Sequence, residues 1–87
     1  MTSSRPYLLR ALFDWILDNQ LTPYLVINAL HPQISVPQNY VNEGRIVLNI
    51  TPGIVSNLEM TNEYISFEAR FGGVPHMIYA PVFACMA

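Results

Sequence analysis

The longest regular hydrophobic pattern in the chain covers residues 5 to 19. At about 100° per residue, Arg10, Asp14 and Asp18 form one narrow polar stripe, and apolar side chains occupy most of the remaining surface. Pro6 is tolerated in a first helical turn, and Asn19 favours a left-handed end. The pattern therefore predicts a helix that begins near residue 5, with a weak ion pair between Arg10 and Asp14.

This helix has two apolar flanks, which the polar stripe separates. One flank holds Leu9, Phe13 and Ile16, the other holds Leu8, Ala11, Leu12 and Trp15, and either of them can pack on the body of the protein. A chain of 87 residues cannot bury the second flank as well, so that flank needs a partner, most simply a second copy across a two-fold axis. We therefore expect residues 5–20 to form a dimerisation helix. The predicted dimer interface consists of Tyr7, Leu8, Ala11, Leu12 and Trp15.

The rest of the chain has the short apolar runs and period-two alternation that are typical of strands. The segments predicted to be strands are Tyr24–Ala29, a short edge strand at Ile34–Val36, Arg45–Ile50, Tyr64–Phe71 and Val74–Ala80. Thr51-Pro52-Gly53 ends the third of these, and Ile54–Ser56 is predicted to form a turn or a single helical turn that leads into residues 57–60. Gly72-Gly73 permits the positive φ angles of a tight hairpin.

The order of these elements predicts one α+β domain over residues 1–87, with an N-terminal helix and a small, mainly antiparallel sheet. The plan of one helix before about five short strands matches small Sm-like or SH3-like barrels. The pattern by itself indicates only a curled sheet or two small sheets.

Composition and charge narrow the range of partners. The chain has four Arg, no Lys and a net charge of −2, which argues against nucleic acid because phosphate binding needs clustered basic side chains. The apolar fraction of 52% exceeds the need of a small core and indicates an interface or a groove.

The weakly polar run from Val74 to Ala87 is not predicted to cross a membrane. Prolines interrupt it, and it is shorter than a membrane span, which takes about 20 residues. A lone Cys85 and no signal-peptide pattern favour the cytoplasm.

Groups able to perform catalysis are few. His31 precedes a proline in a predicted loop, His76 lies on a hairpin strand, and Cys85 is close to the end of the chain. They have neither the spacing of a nucleophile with its base nor that of a metal site. We therefore predict no enzyme activity, no metal and no cofactor.

Two kinds of binding protein remain. Tyr64, Phe67, Phe71 and Tyr79 could stack on RNA bases, but Phe67 and Phe71 share the face of Ile65 and are first expected in the core. An extended peptide on a sheet edge needs only main-chain groups and apolar pockets, which suits this chain better. Core packing is the competing explanation for Ile54, Val55 and Phe71. The candidate peptide-binding residues are Pro52, Ile54, Val55, Ala69, Arg70, Phe71, Gly72 and Val74.

Several blocks of the chain, in order and almost without gaps, resemble the stringent starvation protein B (SspB) family between residues 5 and 82. The blocks are Arg5–Ala11 with Asp14-Trp15 and Asp18-Asn19, Leu21-Thr22-Pro23 with Leu25-Val26, Val36-Pro37, Gly44–Ile50, Asn57–Glu59 and Phe67–Pro75. This resemblance implies a dimeric Sm-like barrel or pair of small sheets that dimerises through the N-terminal helix.

The resemblance also implies an adaptor function. Members of the family bind the ssrA tag, which ribosome rescue adds to stalled nascent chains, and deliver tagged proteins to the ClpXP protease. By that resemblance, Arg70 would meet an acidic tag residue or a tag carbonyl. The apolar walls of the groove would be Ile54, Val55, Phe71 and Val74.

The chain departs from the family at its C-terminal end, Phe83–Ala87. Family members continue through a further strand-forming segment and a flexible acidic tail that docks on the ClpX unfoldase. We therefore expect a C-terminally shortened domain with an exposed apolar end, which cannot deliver substrates even if it binds tags. A dimerisation fragment without an intact groove is a third hypothesis beside the adaptor and the RNA-binding barrel.

Overall fold

The computed structural model describes residues 3–85 and confirms an α+β fold with one helix followed by two small antiparallel sheets. The main elements are α1 (Arg5–Asp18), β1 (Tyr24–Asn28), β2 (Arg45–Asn49), β3 (Ser56–Met60), β4 (Tyr64–Phe71) and β5 (Val74–Pro81). Sheet A has the order β1-β2, and sheet B has the order β3-β4-β5. Short 3₁₀ turns cover Gln38–Tyr40 and Val82–Ala84.

The helix ends in a different way from the prediction. Asn19 has a φ of −94°, and the left-handed residue is Gln20, with a φ of 59°. The Leu21 N–H donates to the Ile16 carbonyl and the Gln20 N–H to the Leu17 carbonyl, both at 3.0 Å. This is the Schellman pattern, in which the residue after the C-cap becomes left-handed, so the prediction for Asn19 was one residue too early.

Arg10 connects the helix to sheet B. Its Nη1 donates to the Met60 carbonyl at 3.1 Å, its Nη2 donates to Asn62 Oδ1 at 2.8 Å, and its guanidinium lies 4.7 Å from the centre of the Tyr7 ring. We predicted a weak pair with Asp14, but the guanidinium reaches the β3–β4 turn instead. A long-range contact of this kind cannot be read from helical spacing.

The core lies between the helix and the two sheets, and it follows the predicted alternation. On β2, Ile46 and Leu48 point inward, and on β4, Ile65 and Phe67 are almost fully buried, whereas Phe71 at the end of the strand is half-buried. Leu9 and Phe13 of the helix pack against this cluster. The buried hydrophobic residues are Leu25, Ile27, Ile46, Leu48, Ile50, Val55, Ile65, Phe67, Ala69, Ile78, Ala80, Val82, Ala84 and Cys85.

Two predicted segments differ in the structure. Residues 56–60 form a strand, whereas the sequence predicted a turn or one helical turn at Ile54–Ser56 and no element for residues 57–60. A register shift between Ser56 and Glu59, with Asn57 at a φ of 56°, bulges β3 and hides its alternation. The edge strand predicted at Ile34–Val36 is reduced to one bridge, in which Ser35 and Tyr79 exchange main-chain hydrogen bonds of 2.9 and 3.0 Å.

The C-terminal segment is more buried than predicted. Val82, Ala84 and Cys85 are buried, and only Phe83 is exposed in this stretch, at 62%. The 3₁₀ turn after β5 folds the chain back so that Cys85 forms a bridge with Ile27 of β1. The prediction of a solvent-exposed apolar end is wrong for these three residues, and Met86 and Ala87 lie outside the described residues.

Candidate functional site

A cleft of about 270 Å³ lies between β2 and the end of β4. We call it the β2–β4 cleft. Its lining is mostly apolar, and Arg70 is the one charged residue among those that form it. The lining residues are Val47, Leu48, Asn49, Ile54, Ala69, Arg70 and Phe71.

The cleft exists because β4 extends past the start of β3. Pairing between these strands begins at Ser56 and Glu68, so Ala69–Phe71 have no β3 residue beside them. The chain before β3 forms a tight turn in which the Ile54 N–H donates to the Thr51 carbonyl at 3.0 Å. This turn directs Ile54 outward, and its side chain is 60% exposed at the rim of the cleft.

The structure brings half of the predicted peptide-binding residues together. Ile54, Ala69, Arg70 and Phe71 line the cleft. Val55, which we predicted as an apolar wall, is 6% exposed and belongs to the core. The other three predicted residues do not line the cleft and are exposed: Pro52, Gly72 and Val74.

Three lining residues were missed by the sequence prediction, and all of them come from β2. Val47 is 59% exposed, and it points outward between the buried Ile46 and Leu48. The side chain of Asn49 is fixed, because its Oδ1 accepts hydrogen bonds from the Thr51 N–H at 3.0 Å and from the Thr51 hydroxyl at 2.6 Å. In the sequence, the one sign that β2 contributes to a binding surface was Val47, a β-branched residue at an outward position of an alternating strand.

Phe71 lines the cleft, and its ring lies beside two other aromatic rings. The ring centre of Phe71 lies 4.9 Å from that of Tyr40 and 5.6 Å from that of His76. The hairpin that follows confirms the prediction, with φ angles of 60° at Gly72 and 82° at Gly73. Both angles belong to the left-handed region that glycine adopts without strain.

The arginines differ in their availability to a ligand. Arg5 Nη1 lies 3.4 Å from the carbonyls of both Phe83 and Cys85, and Arg10 is bound to the β3–β4 turn. Within residues 3–85, the guanidinium groups of Arg45 and Arg70 have no hydrogen-bond partner, and of these two only Arg70 lines the β2–β4 cleft. An apolar cleft with one available cation suits an extended ligand that carries apolar side chains and a carboxylate.

A second surface of interest is the outer flank of α1. Leu9 and Phe13 pack on the core, so the opposite flank faces solvent. The residues predicted for the dimer interface are all exposed: Tyr7 51%, Leu8 57%, Leu12 51%, Trp15 60% and Ala11.

Of the residues considered for catalysis, His76 lies beside Phe71 of the cleft, whereas His31 and Cys85 are not among the cleft residues. His31 Nδ1 accepts a hydrogen bond from the Gln33 N–H at 3.1 Å, and its ring lies against Phe83. Burial raises the pKa of the Cys85 thiol to about 11, which keeps it protonated at neutral pH. In the part of the chain that the structure describes, no three His, Cys, Asp or Glu side chains are grouped to hold a metal ion.

The aromatic residues considered for RNA binding differ in burial and in their neighbours. Phe67 is fully buried, so it cannot stack on a base. Tyr64 and Tyr79 stack on each other with ring centres 5.4 Å apart, and the Tyr64 hydroxyl donates to Glu59 Oε2 at 2.9 Å. This hydrogen bond and the Glu59 charge raise the pKa of Tyr64.

Across residues 3–85, no helix has the length and apolar character that crossing a membrane requires.

Comparison with known proteins agrees with the resemblance seen in the sequence. The family model described as stringent starvation protein B matches residues 3–87. A stringent starvation protein B homolog from Haemophilus influenzae is 49% identical over 83 residues, which cover 95% of this chain and 55% of that protein. The chain thus spans about half the length of this relative. On the family match and this identity, the chain belongs to the stringent starvation protein B family.

Proposed function

We propose that this chain is the tag-binding domain of a proteolytic adaptor. It binds the ssrA degradation tag as an extended peptide in the β2–β4 cleft and, within the adaptor, enhances delivery of tagged proteins to ClpXP. The observation that carries the proposal is the cleft itself, which combines exposed apolar side chains with one available guanidinium. Family membership supports the same role and favours an adaptor over an enzyme.

The chemistry of the cleft suits a peptide that is held without being changed. Ile54 and Phe71 offer apolar surface that a tag side chain can cover. Arg70 offers an unpaired cation to a tag carboxylate or carbonyl, and a charge-assisted hydrogen bond of that kind is stronger than a neutral one. In this proposal the protein contributes affinity and position, and the protease performs the chemistry.

A titration of labelled tag peptide tests the proposal. The purified chain is added to a fluorescein-labelled ssrA peptide, with a scrambled peptide as the control, and anisotropy is recorded. We expect saturable binding of the tag alone, with a weak salt dependence because few ion pairs form. Equal binding of the scrambled peptide, or no binding by a folded chain, would contradict the proposal. An affinity for RNA that falls steeply with salt would favour the RNA-binding barrel instead.

We also propose that the outer flank of α1 forms a homodimer interface. Its exposed side chains include Leu12 and Trp15, and such a cluster of large apolar groups is typical of an interface. Leu12→Glu should convert the dimer to a monomer in light scattering, because it places a charge in the apolar contact. Asp14→Lys on the polar stripe is the matched control and should leave the dimer intact. A wild-type chain that is monomeric at micromolar concentration would refute the interface.

In this proposal, one part of the adaptor binds the tag and another part delivers the tagged protein to ClpXP. By the family resemblance, ClpX is contacted through an acidic tail, and no acidic run of that kind occurs in the 87 residues. We therefore expect the 87-residue chain to bind tagged substrate without accelerating its degradation by ClpXP. An excess of this chain should slow the degradation that a full-length adaptor stimulates. Acceleration by the 87 residues alone would contradict this division of labour.

A further inference from the structure

The register of sheet A identifies which main-chain groups of β2 are unpaired. The Ile50 N–H donates to the Pro23 carbonyl at 3.0 Å, and the Ala29 N–H donates to the Gly44 carbonyl at 2.8 Å. In an antiparallel pair, hydrogen-bonded positions alternate with positions that are not bonded. With the register Leu25↔Leu48, the bonds to β1 therefore come from every second residue of β2. The N–H and C=O groups of Arg45, Val47 and Asn49 point away from β1.

One end of this outer edge is already occupied. The Asn42 N–H donates to the Arg45 carbonyl at 2.8 Å, and the Arg45 N–H donates to the Asn42 carbonyl at 3.0 Å. Continued pairing would place Tyr40 opposite Val47, but residues 38–40 turn away as a 3₁₀ helix. A second cavity of about 390 Å³, lined in part by Tyr40 and Val47, marks the resulting gap.

The open part of the edge therefore consists of Val47 and Asn49. Within residues 3–85, their main-chain N–H and C=O groups make no hydrogen bond outside the β1–β2 pair, and the register directs them away from β1. Both residues line the β2–β4 cleft. An unpaired strand edge with an exposed β-branched residue readily pairs with another extended chain unless something covers it.

We propose that the ligand peptide joins β2 as an additional strand and exchanges main-chain hydrogen bonds with Val47 and Asn49. The ligand is an extended peptide with a carboxylate near Arg70, since Arg70 supplies the one charge in the cleft lining. Its main chain provides affinity that is independent of sequence, and its alternate side chains reach Ile54 and Phe71. This inference rests on the proposed function and specifies how the cleft reads its ligand.

A scan of N-methylated tag peptides against the wild-type chain tests the pairing. Two peptide amides that lie two residues apart should donate to the carbonyls of Val47 and Asn49, whether the added strand is parallel or antiparallel. Methylation of either amide should weaken binding about tenfold or more, because a buried carbonyl loses its donor. Methylation of the amide between them is the matched control and should change affinity less than about threefold.

The outcomes separate the inference from the proposed function. If the unmodified tag binds and no alternating pattern is found, strand addition is refuted and tag binding stands. If the unmodified tag does not bind to the folded chain, both the proposed function and this inference are overturned. Tight binding that requires a second copy seated on the β2 edge would also overturn the inference.

A pair of variants at Val47 gives the corresponding test on the protein. Val47→Pro removes one outward N–H and no bond of the β1–β2 ladder, and proline is tolerated on such an edge. We expect it to lower tag affinity about tenfold, whereas Val47→Thr, which keeps the N–H and the branched shape, should recover most of the affinity that Val47→Pro loses. A folded Val47→Pro chain with wild-type affinity would refute the pairing at this residue. If Val47→Pro does not fold, the peptide scan decides.

Discussion

Ile54 and Val55 are adjacent in the sequence, but the structure gives them opposite environments. Ile54 is 60% exposed at the rim of the β2–β4 cleft, whereas Val55 is 6% exposed and belongs to the core. Truncating each to alanine should therefore affect different properties. We predict that Ile54→Ala lowers tag affinity with a smaller loss of stability than Val55→Ala, and that Val55→Ala lowers stability with little loss of affinity.

The magnitudes follow from the carbon atoms removed and from the exposure. Ile54→Ala deletes three carbon groups, worth about 0.8 kcal/mol each when buried, or about 2.4 kcal/mol. If the ligand covers the 60% that is now exposed, the loss of binding free energy is about 1.4 kcal/mol, or about tenfold in affinity. Val55→Ala deletes two groups that are already buried, and with the cavity it leaves, the free energy of unfolding should fall by about 2 kcal/mol.

Two measurements on the same two variants check this prediction. Anisotropy titration with labelled tag gives the affinities, and urea unfolding gives the free energies. Val55→Ala should also lower Tm by roughly 8–16 °C, at about 4–8 °C per kcal/mol for a domain of this size. The reasoning is refuted if Val55→Ala, while still folded, loses as much affinity as Ile54→Ala. It is equally refuted if Ile54→Ala binds the tag like the wild type.

Three further predictions address other parts of the molecule. Arg70→Gln should weaken tag binding about fivefold, a modest loss because the guanidinium is exposed and solvent screens its hydrogen bond to the tag. Arg70→Lys should recover part of this loss. An unchanged affinity of Arg70→Gln in the anisotropy titration would place Arg70 outside the site. Phe67→Ala should lower the free energy of unfolding by about 3–5 kcal/mol in urea, and a loss below about 1 kcal/mol would contradict the packing. Burial raises the pKa of Cys85 from 9.0 to about 11, so the folded state holds the thiol proton more tightly than the unfolded state, and the free energy of unfolding should fall between pH 9 and 11. Cys85→Ala should remove that part of the decline. Identical profiles of unfolding free energy against pH for the variant and the wild type would contradict the burial.

The parts of the fold that depend on local pattern were predictable from the sequence. Alternation gave the bounds of Tyr64–Phe71 as the structure has them, and Gly72-Gly73 located the hairpin because its φ angles suit glycine. The bulge in β3 broke the alternation of residues 56–60, so that strand was not predicted. Its irregularity comes from pairing with β4, which is not visible in a short window of sequence.

The cleft was only half predictable for a similar reason. The residues of β4 and the turn before β3 were identified, but β2 contributes through the way the two sheets meet, which alternation does not describe. Alternation places Val47 outward without indicating which element lies opposite. Ile54 and Val55 could not be separated either, because the turn built on Thr51 decides which of the two enters the core.

The central claim is that this chain binds a degradation tag in the β2–β4 cleft. The most direct test is a ¹H–¹⁵N NMR titration of the labelled chain with unlabelled tag peptide and, separately, with the scrambled peptide. We predict that the tag shifts the amide signals of Val47, Asn49, Ile54 and Arg70 in a saturable way, and that the scrambled peptide leaves them unchanged. Absence of tag-specific shifts in a folded chain, or shifts confined to the α1 flank around Leu12 and Trp15, would contradict the claim.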